Sequence, residues 1–553
     1  MVAQNYLTSF LDCAYRQPSY QAITYLRRGE SEDTSFTFQE LADASQSWAR
    51  AFLGTNHSKD PVMLVYPPGP EFFIAFFGCL FAGVIAAPLP VPRPGESLRR
   101  LQQIVRQTRF GTLVSTRAAL ASITRNADVT NTLGPTRMLC HEDLASADGI
   151  DSAQLPGLTI HPENPVLVQF TSGSTRAPHG VAVSSRSLFE NAELCTESIR
   201  CYDQRCLVSW LPHHHDLGLF GSLLYPLMKG TRTVHMAPHA FVQRPVRWLK
   251  AISHYRANIS GGPPVGFELC NRSISDDMLD GIDLSCWDTM FCGAEPVFSA
   301  PIEKFFQRFG ATGLSRRSFA PVYGLAEATV FVAGTNRGDH PLPPPSDAAG
   351  RREPCLLTAK SRRQIRIVDP VTLRELPPGA PGEIWVHGPS VALGYLTDRL
   401  ESPPQFHART EPDDGTDHLR TGDLGFMAGD WLYITGRIKD LLIVNGANVH
   451  AADVEWIAAE CDSRLNATAA TAFQREDGAS GDVILLIEIH EKAMAPAEST
   501  TLANQIRAKV LAETSVSLHT IDILSRGALP KTTSGKVQRS RAREDFIMRE
   551  ASA

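Results

Sequence analysis

The chain has 553 residues, too many for one hydrophobic core and enough for two to four compact units. Hydrophobic residues at 43% and charged ones at 20% describe an ordinary globular protein rather than a membrane or disordered one. A formal net charge of -6 leaves no basic excess to neutralise nucleic-acid phosphates, and 11 scattered cysteines without a Cys-x-x-Cys pair fit a reduced, cytoplasmic setting.

MVAQNYLTSFLDCAYRQ, at the start, lacks a basic stretch followed by an apolar core, so no secretory leader is expected. In SFTFQEL, Thr37 precedes Glu40 by three residues, a capping box that opens an amphipathic helix through LADASQSWARAFL. FFIAFFGCLFAGVIAA, Phe72 to Ala87, is uncharged, but it is shorter than the roughly 20 residues of a membrane span. PLPVPRP follows at once, so a buried helix is expected there and no integral membrane association.

The runs PVMLVY, GTLVST, PVLVQF and RCLVSWL alternate with helical stretches such as SLFENAELCTESI, which predicts a largely parallel sheet with helices on both faces. Ligands of such sheets sit beyond the carboxyl ends of strands, and TSGSTRAPHG follows PVLVQF at that place. Hydroxyl and backbone N–H groups of Thr171, Ser172, Gly173, Ser174 and Thr175 can converge there on an anion such as phosphate. Taken alone, the loop reads equally as a Ser/Thr-rich surface turn, and it lacks the Walker pattern. His213, His214 and His215 are adjacent; on an extended chain neighbours point to opposite faces, so the three do not converge on one metal ion.

The segment Gly334 to Pro354 is polar and rich in Pro and Gly, a loop rather than a fold element. RQIRIVDP and GEIWVHGPSVALGYL then predict antiparallel strands of a small β subdomain, about 364–437. Past ITGRIKDLLIVNG come a helix, AADVEWIAAE, two strands, TAATAF and DVILLIEIHE, and a helix, TLANQIRAKVLAE, enough for an α+β domain of about 110 residues. The expected architecture is α/β: an N-terminal domain over 1–437, with two parallel-type α/β subdomains and the small β subdomain, followed by a small C-terminal domain over 438–553.

Seven stretches occur in order: TSGSTRAPHG, WLPHHHDLGLFG, FCGAEPV, VYGLAEAT, RTGDLGF, GRIKDLLIVNGANVH and LPKTTSGKVQR. From about Phe36 to Arg539 this series resembles the adenylate-forming superfamily of acyl-CoA synthetases, luciferases and peptide-synthetase adenylation domains. WLPxxHDxGL, the pairing of DLSxW with GAEPV, YGLAEAT and IVDP…GEIWVxGPSVAxGY are similar to the forms found in fatty acyl-AMP ligases. Such enzymes activate a fatty acid with ATP and pass it to the phosphopantetheine thiol of an acyl carrier protein.

The resemblance implies roles residue by residue. Ser172 to Thr175 would cradle the β- and γ-phosphates, Glu327 would ligate Mg²⁺, and Thr329 would reach the α-phosphate. Tyr323 with Gly324 would face the nucleoside, and Gly293, Ala294 and Glu295 would line the adenine edge. Asp423 and Arg437 would hold the ribose. His215 and Asp216 would flank the reacting carboxylate. Lys536 would bridge carboxylate and α-phosphate as a fixed positive charge, and Lys439 would be the hinge of a mobile C-terminal domain. Gly218, Phe220, Gly262, Pro263, Val265 and Phe267 line an acyl tunnel or belong to ordinary core packing; both remain open.

Two features depart from the resemblance. The superfamily loop reads TSGSTGxPKG, whereas Arg176 and His179 stand here in place of Gly and Lys. Arg176 restores a cation near the lost one, and the loop is expected to remain competent. Fatty acyl-AMP ligases carry an insertion in the region matching Gly334 to Arg366, and only 37 residues separate Thr329 from Ile367, short for that branch. A fatty acyl-CoA synthetase, with CoA as acceptor, is therefore the rival expectation, and a degenerate adenylate-binding protein a lesser one. No Leu-Gly-Gly-x-Ser signature follows Arg539, so the carrier protein is expected in trans.

Overall fold

The computed structural model describes residues 5–55, 61–92, 96–108, 110–125, 127–134, 136–146, 155–171, 179–336, 338, 340, 352–444, 447–475, 482–532 and 535–552. A seven-stranded sheet has the order Phe319–Pro321, Thr289–Cys292, Ile259–Gly262, Cys206–Ser209, Arg232–Met236, Gln21–Leu26, Thr34–Thr37. All its pairings are parallel except the last. An eight-stranded sheet places Pro165–Phe170 beside Ala86–Leu89, followed by Val62–Val65, Thr112–Ser115 and Arg137–Cys140, again in parallel. Parallel strands are covered on both faces, which is why VMLV and TLVS are buried at every position.

Helix formation follows the sequence signals closely. The Thr37 hydroxyl accepts from the Glu40 amide at 3.2 Å and the Glu40 carboxylate accepts from the Thr37 amide at 2.8 Å, the two bonds of the capping box. Its helix, Phe38–Thr55, packs on the helix Pro70–Ala82, and Trp48, Phe52, Phe72, Phe76 and Phe77 are fully buried there. The apolar run is therefore a core helix, shorter than its sequence suggests: Gly83 in the left-handed conformation ends it, and the remaining residues start the strand Ala86–Leu89. Among the described residues no helix is long and apolar enough to cross a membrane.

Parallel order fails at one edge of the eight-stranded sheet. Gly180–Ser184 returns antiparallel to Pro165–Phe170. Gly394–Leu396 then joins antiparallel to that strand, so part of GEIWVHGPSVALGYL leaves the small β unit. The rest behaves as expected: Ile365–Val368, Gly382–Val386, Leu419–Ala428 and Trp431–Arg437 form an antiparallel five-stranded sheet with Cys355–Leu356. Beyond it, Leu465–Gln474, Val483–Ile489 and Leu518–Leu524 form a three-stranded sheet covered by Ala451–Ala459 and Pro496–Thr514, around a core of its own.

Candidate active site

The nucleotide-facing candidates sit at strand ends. Gly293, Ala294 and Glu295 follow the strand Thr289–Cys292, and Ala294 holds φ 70°, a conformation costly for a residue with a Cβ. Tyr323 and Gly324 follow the neighbouring strand Phe319–Pro321, and the Tyr323 amide bonds the Ala333 carbonyl at 2.8 Å. The phenol of Tyr323 donates to Asp423 Oδ2 at 2.8 Å, and Arg437 Nε donates to Asp423 Oδ1 at 2.7 Å. Asp423 and Arg437 face each other across one antiparallel pair, so the sheet register fixes this contact. The Asp423 side chain is only 6% exposed. Each of its oxygens already accepts one bond and keeps a further lone pair. Its charge raises the Arg437 guanidinium, and burial and Asp423 together push the Tyr323 phenol up.

Glu327 lies in the turn Ala326–Ala328, and its Oε1 accepts from the Tyr395 phenol at 3.0 Å. Gln405 in turn donates to Tyr395 at 3.0 Å. Tyr395 comes from the strand Gly394–Leu396, which lies between Gly180–Ser184 and Leu400–Glu401, and His179 packs its ring 4.9 Å away. The residue standing where the superfamily has a lysine thus rests on the tyrosine that orients Glu327. The amide of Thr171 donates to the His179 carbonyl at 3.1 Å, closing the mouth of the loop. Ser172, Gly173, Ser174, Thr175 and Arg176 lie outside the described residues. Thr329 donates its hydroxyl to the Ser390 carbonyl at 2.7 Å and sits at φ 68°, ψ -55°, a backbone strain of about 1–3 kcal/mol. Observed strain of that kind is a mark of functional turns.

Asp216 caps the helix Leu217–Leu224, donating nothing and accepting from the Leu217 amide at 2.7 Å. That helix is wound wider than an α-helix, a form found mostly at functional sites. Burial raises the Asp216 carboxyl; the Leu217 amide lowers it, Glu327 raises it, and Lys536 lowers it. Lys536 is exposed, beside the pairing of Lys531 with Val537, and its carbonyl accepts from the Thr532 amide at 2.8 Å. Lys531 anchors the loop on the fully buried Glu488 at 2.7 Å.

Burial holds His215 neutral, its imidazole lowered to about 4, and the same cause takes His213 to about 3 and His214 well below its ordinary value. The His213 ring stacks on Phe72 at 3.9 Å. Among the described residues no group of three or more His, Cys, Asp and Glu side chains is placed to hold a metal.

Of the acyl candidates, Phe220 and Phe267 are fully buried: Phe220 packs on Tyr225 at 5.8 Å, and Phe267 on Trp248 at 5.4 Å and Phe305 at 5.1 Å. Gly218 is buried in the wide helix, and Pro263 and Val265 start the helix Pro264–Ser273 and its cap. Gly262 abuts the Trp210 indole, where a Cβ would stand 2.9 Å from the ring edge.

Lys439 lies in the turn Ile438–Asp440, between the five-stranded sheet and the C-terminal strands, and it too senses the Lys536 charge. Beside it, a Cβ on Gly436 would fall inside the His450 ring. Several residues of this joint carry no sequence signal. Phe298 stacks on Trp456 at 4.3 Å and 9°, Arg352 pairs with Asp453 at 2.5 Å, and Arg272 meets His490 at 2.6 Å. Tyr395 was likewise silent, although its place in GPSVALGY marked it as part of a motif.

Residues 10–396 match the family described as AMP-binding enzyme, and 439–553 match the Disco-interacting protein 2-like AMP domain. Over 97% of the chain and 93% of the relative, it is 30% identical to the medium-chain-fatty-acid–[acyl-carrier-protein] ligase JamA of Moorena producens. It is 34% identical to the 4-hydroxyphenylalkanoate adenylyltransferase of Mycobacterium tuberculosis, over 92% of this chain and 85% of that one. A fatty acyl-adenylate ligase of L. pneumophila, solved with acyl adenylate and pyrophosphate, superposes with a TM-score of 0.70 at 30% identity, covering 99% of this chain and 96% of that one. With a large mixed α/β body followed by a smaller C-terminal domain, and with the family matched over most of its length, the chain belongs to the AMP-binding enzymes.

Proposed function

We propose that the protein activates a medium- or long-chain fatty acid with ATP, forming acyl-AMP and pyrophosphate, and then transfers the acyl group to the phosphopantetheine thiol of a carrier protein supplied in trans. The observation that carries this reading is the hydrogen-bonded Tyr323–Asp423–Arg437 cluster, together with Glu327 held by Tyr395. JamA is a medium-chain ligase of an acyl carrier protein by its name, and the mycobacterial relative takes hydroxyphenylalkanoates, which supports a carboxylic acid with a hydrophobic tail as substrate.

The chemistry asks a carboxylate oxygen to attack the α-phosphorus of ATP while the bond to pyrophosphate breaks. Two anions must meet, so alignment and positive charge supply most of the rate. In this reading Lys536 stands between them without giving up its proton, and neutral His215 adds a polar contact that brings no counter-charge. Asp423 and Arg437 hold the ribose, Tyr323 and the Gly293–Glu295 turn hold the base, and the Thr171–Thr175 loop holds the leaving phosphates. The residues present fit Mg²⁺, which takes only one or two protein carboxylates when phosphate oxygens fill the rest: Glu327 is oriented by Tyr395 and keeps open lone pairs. Bound there, Mg²⁺ would neutralise the phosphates and steady pyrophosphate as it leaves. In the second step the thiol attacks the acyl carbonyl, AMP departs, and the thiol proton is lost. The domain boundary at 437/438, with Lys439 as hinge, lets Lys536 withdraw for that step.

One sequence feature favours a second acceptor. The short span between Thr329 and Ile367 fits CoA as well as a carrier protein. Incubation with ATP, Mg²⁺ and a fatty-acid panel, with CoA or a holo carrier protein, separates these outcomes by product mass. Acyl-carrier thioester supports the reading; acyl-CoA alone replaces its second half, and no acyl-AMP from any fatty acid removes it.

A further inference from the structure

Lys536 belongs to the C-terminal domain, and one of the contacts joining that domain to the large one brings four side chains together. Phe298 lies three residues past Glu295, on the segment that leads from the adenine-edge turn, and pairs in an antiparallel bridge with Arg352. The Arg352 guanidinium sits 5.5 Å over the Phe298 ring, and its side chain is only 4% exposed. From the other side, the helix Ala451–Ala459 contributes Asp453 and Trp456, one turn apart and on one face. Asp453 takes the Arg352 charge at 2.5 Å, and the Trp456 ring lies flat on Phe298 at 4.3 Å, its indole N–H donating to Glu460 at 2.9 Å. The cation, the two rings and the carboxylate form one continuous stack across the joint.

We infer that Phe298 and Arg352, with Asp453 and Trp456, form a clasp that holds the C-terminal domain in the arrangement delivering Lys536, and that the clasp must part before acyl transfer. The four are positioning residues; none touches the reacting atoms. The Arg352–Asp453 pair and the Phe298–Trp456 stack exist only while the two domains meet as they do here, so they bias the chain toward that arrangement. Elements that favour one of two arrangements bias the step which uses that arrangement, in proportion to the population they shift.

The inference rests on the two-step reading above, and its test separates the two. Arg352→Ala combined with Trp456→Ala is assayed in two half-reactions: ATP–pyrophosphate exchange driven by a fatty acid, and transfer from preformed acyl-AMP to the acceptor that the unmodified enzyme uses. Exchange is expected to fall about tenfold or more, while transfer is unchanged or faster. Trp456→Phe keeps a ring on Phe298 and should recover most of the exchange rate. Equal losses in both half-reactions, or exchange unaffected by the double substitution, would overturn the clasp. If the unmodified protein forms no acyl-AMP at all, it is the two-step reading that fails instead.

Discussion

The two ends of the active site are built in opposite ways. On the large domain, Asp423 is buried, faces Arg437 in sheet register and takes a bond from Tyr323, while Tyr395 holds Glu327. On the C-terminal domain, Lys536 is exposed on a loop that is closed by its backbone bond to Thr532 and anchored by Lys531 on Glu488. In the proposed reading, groups that hold the nucleotide serve both half-reactions and can be locked into sheets. A charge needed for one half-reaction and obstructive in the other belongs on a loop that moves with its domain.

The largest effect should come from the movable side. Lys536→Ala is expected to slow adenylate formation by roughly two to three orders of magnitude, the scale of losing one preorganised transition-state contact. Pyrophosphate exchange measures this, and weak dependence would make Lys536 a surface residue. Next comes the hinge. Proline at Lys439 fixes φ near −65° and removes an N–H. Lys439→Pro should largely spare adenylation and slow acyl transfer at least about tenfold, the reverse of the pattern expected when the clasp is weakened. Equal loss in both steps would indicate misfolding, and no loss in either would remove Lys439 from the hinge.

A smaller effect is expected on the fixed side. Asp423→Ala strands Tyr323 and Arg437, but Arg437 is 43% exposed and water replaces part of the loss. Unfolding stability should drop by about 1–2 kcal/mol, read from the urea midpoint, with a raised KM for ATP. Unchanged stability and KM would mean that Asp423 neither fixes the sheet corner nor holds the ribose.

A separate effect, on stability rather than on the reaction, is a pH slope set by buried imidazoles. His213 and His235 are lowered to about 3 and His215 and His450 to about 4, in each case chiefly by burial. Their folded values lie below the unfolded value of about 6.5, so the unfolded chain binds more protons in between. This contribution is complete above about pH 6.5 and is lost as pH falls toward the folded values, by about 1.4 kcal/mol per unit for each histidine. Urea midpoints measured from pH 7 to 5 should decline, and His213→Phe should flatten the decline. A midpoint independent of pH would show these rings to be solvated.

What the sequence made legible follows from the range of the interactions. The capping box at Thr37 and Glu40 is local, and so is the apolar run that becomes the helix Pro70–Ala82; both were readable. Asp423 and Arg437 were legible through the resemblance of RTGDLGF and the Gly-Arg pair, and the antiparallel register that sets them opposite each other is seen in the structure. Phe298 and Trp456 are far apart and of types common in any core, so nothing in either segment announces the stack. The strand Gln21–Leu26 was missed for the same reason, since its parallel partner is Arg232–Met236. Phe220 and Phe267 show the limit for the acyl site: an apolar residue in a motif looks alike whether it faces a tail or the core, and both lie fully buried against aromatic neighbours.

The central claim is that fixed and movable halves meet to adenylate a fatty acid, and ATP–pyrophosphate exchange tests it most directly. The account predicts exchange by the unmodified chain that requires both a medium- or long-chain fatty acid and Mg²⁺. Exchange driven by amino acids instead, or absent with every fatty acid tried, would contradict it.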